Sequence, residues 1–194
     1  MTMRIAGGEF RGRILKTPKA ASLRPTQDRV REALFSMIAQ EVAGADFLDL
    51  FAGTGAVGLE ALSRGAGRVT FVESDRRHLG MLRENARTLG VEGRSSVVAA
   101  DVYRWIAAHS GPGYAIAFAD PPYALGEEKG YASVLDTLAS RNVVLPDGLF
   151  IAEMTAGQRA EDAPGWALVR DRTYGKTRLC VWRRLTTATR SGQA

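Results

Sequence analysis

Phe47-Leu48-Asp49-Leu50-Phe51-Ala52-Gly53-Thr54-Gly55-Ala56-Val57-Gly58-Leu59-Glu60-Ala61-Leu62-Ser63-Arg64 is the stretch that decides the fold. Phe47 to Phe51 is a short apolar run of the kind that forms a buried strand, and Leu59 to Arg64 has a helical pattern. Gly53, Gly55 and Gly58 lie between them. Strand, glycine turn and helix make the opening unit of an open α/β sheet, whose ligands bind outside the carboxyl ends of the strands. Taken literally, the glycine spacing also satisfies the dinucleotide fingerprint. Asp49 argues against that ligand, because a carboxylate beside the loop repels a pyrophosphate and attracts an ammonium group. The loop also lacks the Gly-Lys-Ser/Thr ending of a nucleoside triphosphate site.

S-adenosylmethionine carries an ammonium, a sulfonium and no phosphate, and so suits these charges. Outward from the loop, the apolar run Arg68 to Val72 is followed by Glu73, near the ~20-residue offset at which an acid reaches ribose hydroxyls in related nucleotide folds. A third run, Ser95 to Ala99, leads to Asp101, whose carboxylate can accept from an adenine amino group. Each acid has a bland alternative as an exposed residue at a strand end. Their recurrence at successive strand ends favours a cofactor site.

A fourth apolar run, Tyr114 to Ala119, ends in Asp120-Pro121-Pro122-Tyr123. An exocyclic base amine is a poor nucleophile because its lone pair is delocalised into the ring, and catalysis needs acceptors that hold its hydrogens out of plane. The Asp120 carboxylate and the Pro121 carbonyl can each accept one. Two prolines stiffen the backbone and donate nothing. Tyr123 offers a ring on which a base can stack, worth roughly 1 to 3 kcal/mol. The alternative is an ordinary strand-to-loop turn. If the chain reverses direction after the third strand, the first and fourth strands flank the switch point, and loop and acceptors share one crevice.

The 194 residues suffice for one core and an appendage. A single cysteine, Cys180, excludes an internal disulfide and reads as a buried thiol. Without paired histidines there is no metal site, and none is expected. His78 and His109 read as surface or packing residues far from the strand ends. The opening residues show no apolar signal region and no run reaches the ~18 apolar residues of a membrane span, so a cytoplasmic protein without a membrane partner is expected. Net charge is +5, yet residues 1–31 alone carry eight cations against two anions. A basic lobe on a near-neutral body suits a nucleic-acid partner, or is a solvated arm.

Met3 to Thr17 predicts a small β-hairpin or ribbon. Thr26 is a candidate cap for a helix with Val30, Ala33, Leu34, Met37 and Ile38 on one face, leaving Arg29 and Arg31 free for solvent or a partner. Further helices are expected over Asp75 to Leu89, Val102 to His109 and Tyr131 to Ser140. Strands are expected over Gly148 to Met154, Ala167 to Tyr174 and Thr177 to Arg183, the last two an antiparallel hairpin around Gly175-Lys176. The expected architecture is α/β and Rossmann-like: a mostly parallel seven-stranded sheet with a terminal antiparallel hairpin. The expected divisions are a basic N-terminal hairpin over 1–22, a catalytic domain with its leading helix over 23–185, and a disordered tail over 186–194. Nothing demands more than a monomer.

Arg4-Ile5-Ala6-Gly7-Gly8 with Arg11-Gly12-Arg13, the block Leu23-Arg24-Pro25-Thr26 through Asp28-Arg29-Val30-Arg31-Glu32-Ala33-Leu34-Phe35, the loop Asp49 to Gly55, and Asp120 to Tyr123 together resemble the bacterial RsmD-type 16S rRNA guanine-N2 methyltransferases, which modify guanine 966. The resemblance runs from about Met3 to Arg184, and its N-terminal block is more specific than its glycine loop. It implies a class I, Rossmann-like methyltransferase that converts S-adenosylmethionine to S-adenosylhomocysteine, without metal, on an assembled or assembling 30S particle. By position it implies Asp49, Phe51, Gly53, Thr54 and Gly55 at the cofactor's methionine side, Glu73 at its ribose and Asp101 at its adenine. Asp120, Pro121, Pro122 and Tyr123 would form the acceptor site, and Arg11, Arg13, Arg24 and Arg29 would hold RNA. Tyr123 stands where some members have Phe, which keeps stacking and adds a hydroxyl. Two other readings stay open. A DNA adenine-N6 methyltransferase shares the acceptor chemistry but normally needs a recognition domain for which little chain is left, and a non-catalytic assembly factor would need neither the acids nor the acceptors. Protein-glutamine methylation would lead one to expect Asn in place of Asp120.

Overall fold

The computed structural model describes residues 3–18, 25–121, 131–160 and 163–186. In chain order the elements are α1 (Pro25–Met37), β1 (Asp46–Leu50), α2 (Ala56–Ser63), β2 (Arg68–Glu73), α3 (Arg76–Leu89), β3 (Ser95–Ala99), α4 (Val102–Ala108), β4 (Tyr114–Ala119), α5 (Ala132–Ser140), β5 (Val144–Thr155), β6 (Trp166–Tyr174) and β7 (Thr177–Arg184). The strands form one sheet in the order β3-β2-β1-β4-β5-β7-β6. β3 to β5 are mutually parallel, and β7 pairs antiparallel with both β5 and β6.

Period-2 alternation sorts the strand side chains onto two cores. Phe47, Phe71, Phe118, Ile151 and Val181 face α1, α2 and α3. Leu48, Leu50, Ala117, Phe150 and Trp182 face α4 and α5. Because both faces are covered, the parallel strands read as continuous apolar runs. Each fully buried Phe or Leu contributes roughly 1.5 to 3 kcal/mol.

Caps set the helix limits. The Asp75 side chain accepts from the Arg77 and His78 backbone N–H groups to start α3, and Gly90 ends it at φ 69°. α1 begins at Pro25, so Thr26 lies inside the first turn and is not the cap expected from sequence. Proline suits that first position because its missing N–H has no helical partner there.

The ribbon at residues 3–18 is reduced to one antiparallel bridge, between Arg4 and Ile14. It is bolted to the body by buried polar groups. Glu60 of α2, fully buried, accepts from the Ala6 and Gly7 N–H groups at 2.7 and 2.8 Å and from Arg64 Nε at 2.8 Å. Ser63 Oγ accepts from Phe10 N–H, and a side chain at Gly8 (φ 78°) would collide with the Ser63 carbonyl. Arg31, expected to be free, is buried instead. Its guanidinium donates to the Arg4 carbonyl at 2.6 Å and to Asp28, with Glu60 3.4 Å away. A buried carboxylate needs cationic and N–H partners, and Arg31 is one of them.

Candidate active site at the switch point

β1 and β4 are parallel neighbours, while the chain runs from β1 outward to β2 and β3 before returning to β4. Their carboxyl ends therefore flank the topological switch point, where an open α/β sheet leaves a crevice. Phe51 leaves β1 at φ 59°, in the left-handed region that non-glycine residues rarely occupy. Such a residue costs roughly 1 to 3 kcal/mol, a strain that collects at functional loops. Its ring meets Tyr103 of α4 edge-on at 5.7 Å.

The glycines have separate jobs. Gly53 (φ 54°) donates its N–H to Glu73 Oε2 at 2.7 Å. Gly55 (φ 85°) occupies the N-cap position of α2. A Cβ on Gly58 would lie 2.3 Å from Phe71 Cε1, so only glycine lets α2 sit this low on β2. Gly58 N–H in turn donates to Asp49 Oδ2 at 2.8 Å. The Thr54 carbonyl accepts from Asn85 Nδ2 at 3.0 Å, and Asn85 also binds both the N–H and the carbonyl of Lys16. One buried amide thus joins the glycine loop to the ribbon.

Three of the acids anticipated from sequence stand at the strand ends with defined partners. Asp49, 1% exposed, is pushed up to about 7 by burial, with the charges of Asp120 and Glu73 adding to the rise and the Gly58 N–H opposing it. Glu73 Oε1 accepts from the Ser74 and Asp75 N–H groups. Asp101 caps α4 by accepting from Arg104 N–H at 2.9 Å. His78, expected far from the strand ends, has Nδ1 4.0 Å from Glu73 Oε2, since it lies in the first turn of α3, just after the Asp75 cap that follows β2.

Asp120 follows β4 directly. It keeps solvent contact by area, yet the strand ends crowd its carboxylate and desolvation pushes it up to about 6. Pro121 beside it is buried. Pro122, Tyr123 and Arg24 lie outside the described residues. Arg11 and Arg13 are exposed on the ribbon turn, and Arg29 is exposed on α1.

Two groups at this crevice escaped the sequence reading. Glu153, half-buried on β5, is pushed up to about 8 by burial and by the charge of Asp120. Tyr131, buried at the start of α5, donates its hydroxyl to the Glu153 carbonyl at 3.2 Å, and desolvation raises its pKa strongly. Among the described residues no lysine or arginine forms an ion pair with Asp49, Asp120 or Glu153, and no group of acids, cysteine and histidines could hold a metal. Desolvated carboxylates without a cation suit a positively charged ligand.

Sheet order, glycine loop and acidic strand ends define a class I methyltransferase fold. The family model described as "Conserved hypothetical protein 95" matches residues 3–183. The chain is 36% identical to "Ribosomal RNA small subunit methyltransferase D" of Escherichia coli (strain K12), over 94% of this chain and 90% of that protein. It is 33% identical to "Putative rRNA methyltransferase YlbH" of Bacillus subtilis (strain 168), over 94% and 99%. The solved structure "Putative methyltransferase yhhF from Escherichia coli" superposes with a TM-score of 0.85 at 32% identity, covering 96% of this chain and all of that one. The chain belongs to the Conserved hypothetical protein 95 family and is of the RsmD methyltransferase type. No helix among the described residues is long and apolar enough to cross a membrane.

Proposed function

We propose that this protein transfers a methyl group from S-adenosylmethionine to the exocyclic N2 amine of a guanine in small-subunit ribosomal RNA, guanine 966 being the nucleotide that the resemblance implies. The observation that carries the reading is the placement of Asp120 and Pro121 beside the strained glycine loop, in a crevice where Asp49, Asp120 and Glu153 have no lysine or arginine partner among the described residues. The donor, when bound, supplies an electrophilic methyl carbon on a cationic sulfur. Asp49 and Glu73 set the negative potential that favours that charge, while Phe51, Gly53 and Thr54 shape the loop that would receive it. Asp120 and the Pro121 carbonyl each accept a hydrogen bond from the amine, orienting its lone pair toward the methyl carbon. Asp120 need not remove a proton before attack; it takes the one released as the nitrogen acquires carbon. The exposed Arg11, Arg13 and Arg29, with Arg24, make the ribbon and α1 the part of the protein that holds RNA.

Labelled methyl transfer to 30S particles lacking the modification, with naked 16S rRNA and duplex DNA alongside, tests this reading. N2-methylguanosine formed on the particle is the expected product. Label on DNA adenine would replace it with the DNA reading, and tight particle binding without label would leave an assembly factor.

A further inference from the structure

β4 and β5 run parallel and in register to the pair Ala119 and Ala152. Asp120 and Glu153 are the next residues of the two strands, so they stand side by side at the carboxyl edge. Neighbouring strands lie ~4.8 Å apart, and laterally adjacent residues of a parallel ladder direct their side chains to the same face. Glu153 is therefore a second carboxylate beside the acceptor, set there by the sheet itself. Tyr131 fixes the spot from the other side. Its hydroxyl binds the Glu153 carbonyl, and its ring stacks on Trp182 and tilts against Phe150, all three buried.

Apart from Arg178, the surroundings of this pair are acidic or neutral. Asp49 lies one strand over on β1, with Glu73 on β2 beyond it, and the charges of Asp120 and Glu73 add to the rise that burial imposes on Asp49. Tyr131 on α5 and Tyr103 and Asp101 on α4 bear on the same crevice. On β7, Glu153 pairs with Leu179, flanked by Cys180 and Arg178. Arg178 is committed to Asp171, with contacts at 2.6 and 2.8 Å. Two neighbouring carboxylates without a cation share protons as a unit, and the values of about 6 and about 8 describe such a pair.

We propose that Glu153 is a positioning residue for methyl transfer: acting through Asp120, it takes up the proton that the amine sheds and releases it when a cationic methyl donor next binds. The proposal rests on the methyl-transfer reading above. As the amine nitrogen bonds to the methyl carbon, the carbon–sulfur bond breaks and its electron pair stays on sulfur. One positive charge leaves the donor, and one N–H proton passes to an Asp120 oxygen and is then shared with Glu153. The net charge of the crevice is the same before and after. A single carboxylate would have to hold the amine and the proton at once, and the pair separates those two tasks.

The test is calorimetry of S-adenosylmethionine and S-adenosylhomocysteine binding at pH 7.5, in two buffers of different ionisation enthalpy, which counts the protons exchanged. The parent is expected to release more proton with the cationic ligand than with the neutral one. E153Q is expected to lose most of that difference while binding both ligands within a few-fold of the parent, and E153D to recover part of it. Single-turnover transfer to unmodified 30S particles should fall roughly tenfold in E153Q, less than the ~100-fold or more lost with a directly acting acid or base because Asp120 remains, with a smaller loss in E153D. An E153Q protein that keeps the parent's proton difference overturns the proposal whatever its activity. A parent that methylates guanine yet shows no difference between the ligands also overturns it and leaves the function standing. A parent that shows the difference yet methylates only DNA removes the function and keeps the proton-holding pair.

Discussion

At the scale of single residues, the crevice separates groups that shape it from the group that acts. Asp49 is buried, and one of its oxygens is occupied by the Gly58 N–H, so it contributes charge and loop geometry. Asp120, by contrast, keeps solvent contact at the end of β4. Asp120→Ala is expected to abolish transfer while leaving S-adenosylhomocysteine affinity within a few-fold of the parent, as read by calorimetry beside a single-turnover assay. Loss of cofactor binding together with activity would move Asp120 from the acceptor to the cofactor side. Glu73, Asp101 and Asp120 could be picked out from sequence because each comes after an apolar run, and Asp49 because it lies near the end of one, and strand ends are where this fold keeps its chemistry. Glu153 could not, because Gly148 to Met154 reads as a strand that contains it, and only the β4–β5 register sets it level with Asp120. Arg31 misled for a similar reason. Its place off the helical stripe said solvent, but the partner that buries it, Glu60, lies 29 positions away in the chain.

At the scale of elements, the strand–loop–helix unit works because α2 sits almost in contact with β2. Gly58 is the point of closest approach, and its N–H is also the donor to Asp49. Gly58→Ala places a Cβ 2.3 Å from a Phe71 ring carbon and 2.8 Å from Val69 Cγ1, so the helix must lift or the ring must shift. Overpacking of this kind costs about 1 to 3 kcal/mol, read as a lower urea midpoint with an unchanged slope. A larger loss of cofactor affinity than of stability would show that the lift opens the Asp49 contact. The order of the elements was legible because short apolar runs and helical patterns alternate along the chain. The N-terminal ribbon was legible only as alternation. Its attachment rests on Glu60, Ser63 and Asn85, three polar residues on helices whose patterns gave no sign of a partner more than fifty residues earlier.

At the scale of the whole molecule, charge is divided. Cations crowd the first 31 residues, and unneutralised acids line the crevice. The cationic side predicts that charge reversal at Arg11 and Arg13 weakens binding to the 30S particle and reduces the slope of log affinity against log salt by roughly 1 to 2, since each single-stranded phosphate contact contributes about 0.7. An unchanged slope would remove the ribbon from the RNA contact. The acidic side predicts how stability varies with pH. Asp49, Asp120 and Glu153 hold their protons in the folded protein up to about 7, 6 and 8, whereas the unfolded chain releases them near 4. Between those limits the folded state binds more protons than the unfolded state, so stability falls as pH rises. The loss begins above about pH 4 and is complete once pH has passed about 8. Asp75 and Asp171 are held low by hydrogen bonds, from the His78 and Arg77 N–H groups and from Arg178, and their contribution is lost only in more acid solution. Urea midpoints measured from pH 5 to 8.5 should therefore decline, and saturating S-adenosylmethionine should flatten the decline more than S-adenosylhomocysteine does, because only the former brings a sulfonium to offset the ionised acids. Equal flattening by the two ligands would mean that the crevice senses occupancy and not charge, and the electrostatic reason for assigning it a cationic methyl donor would fall.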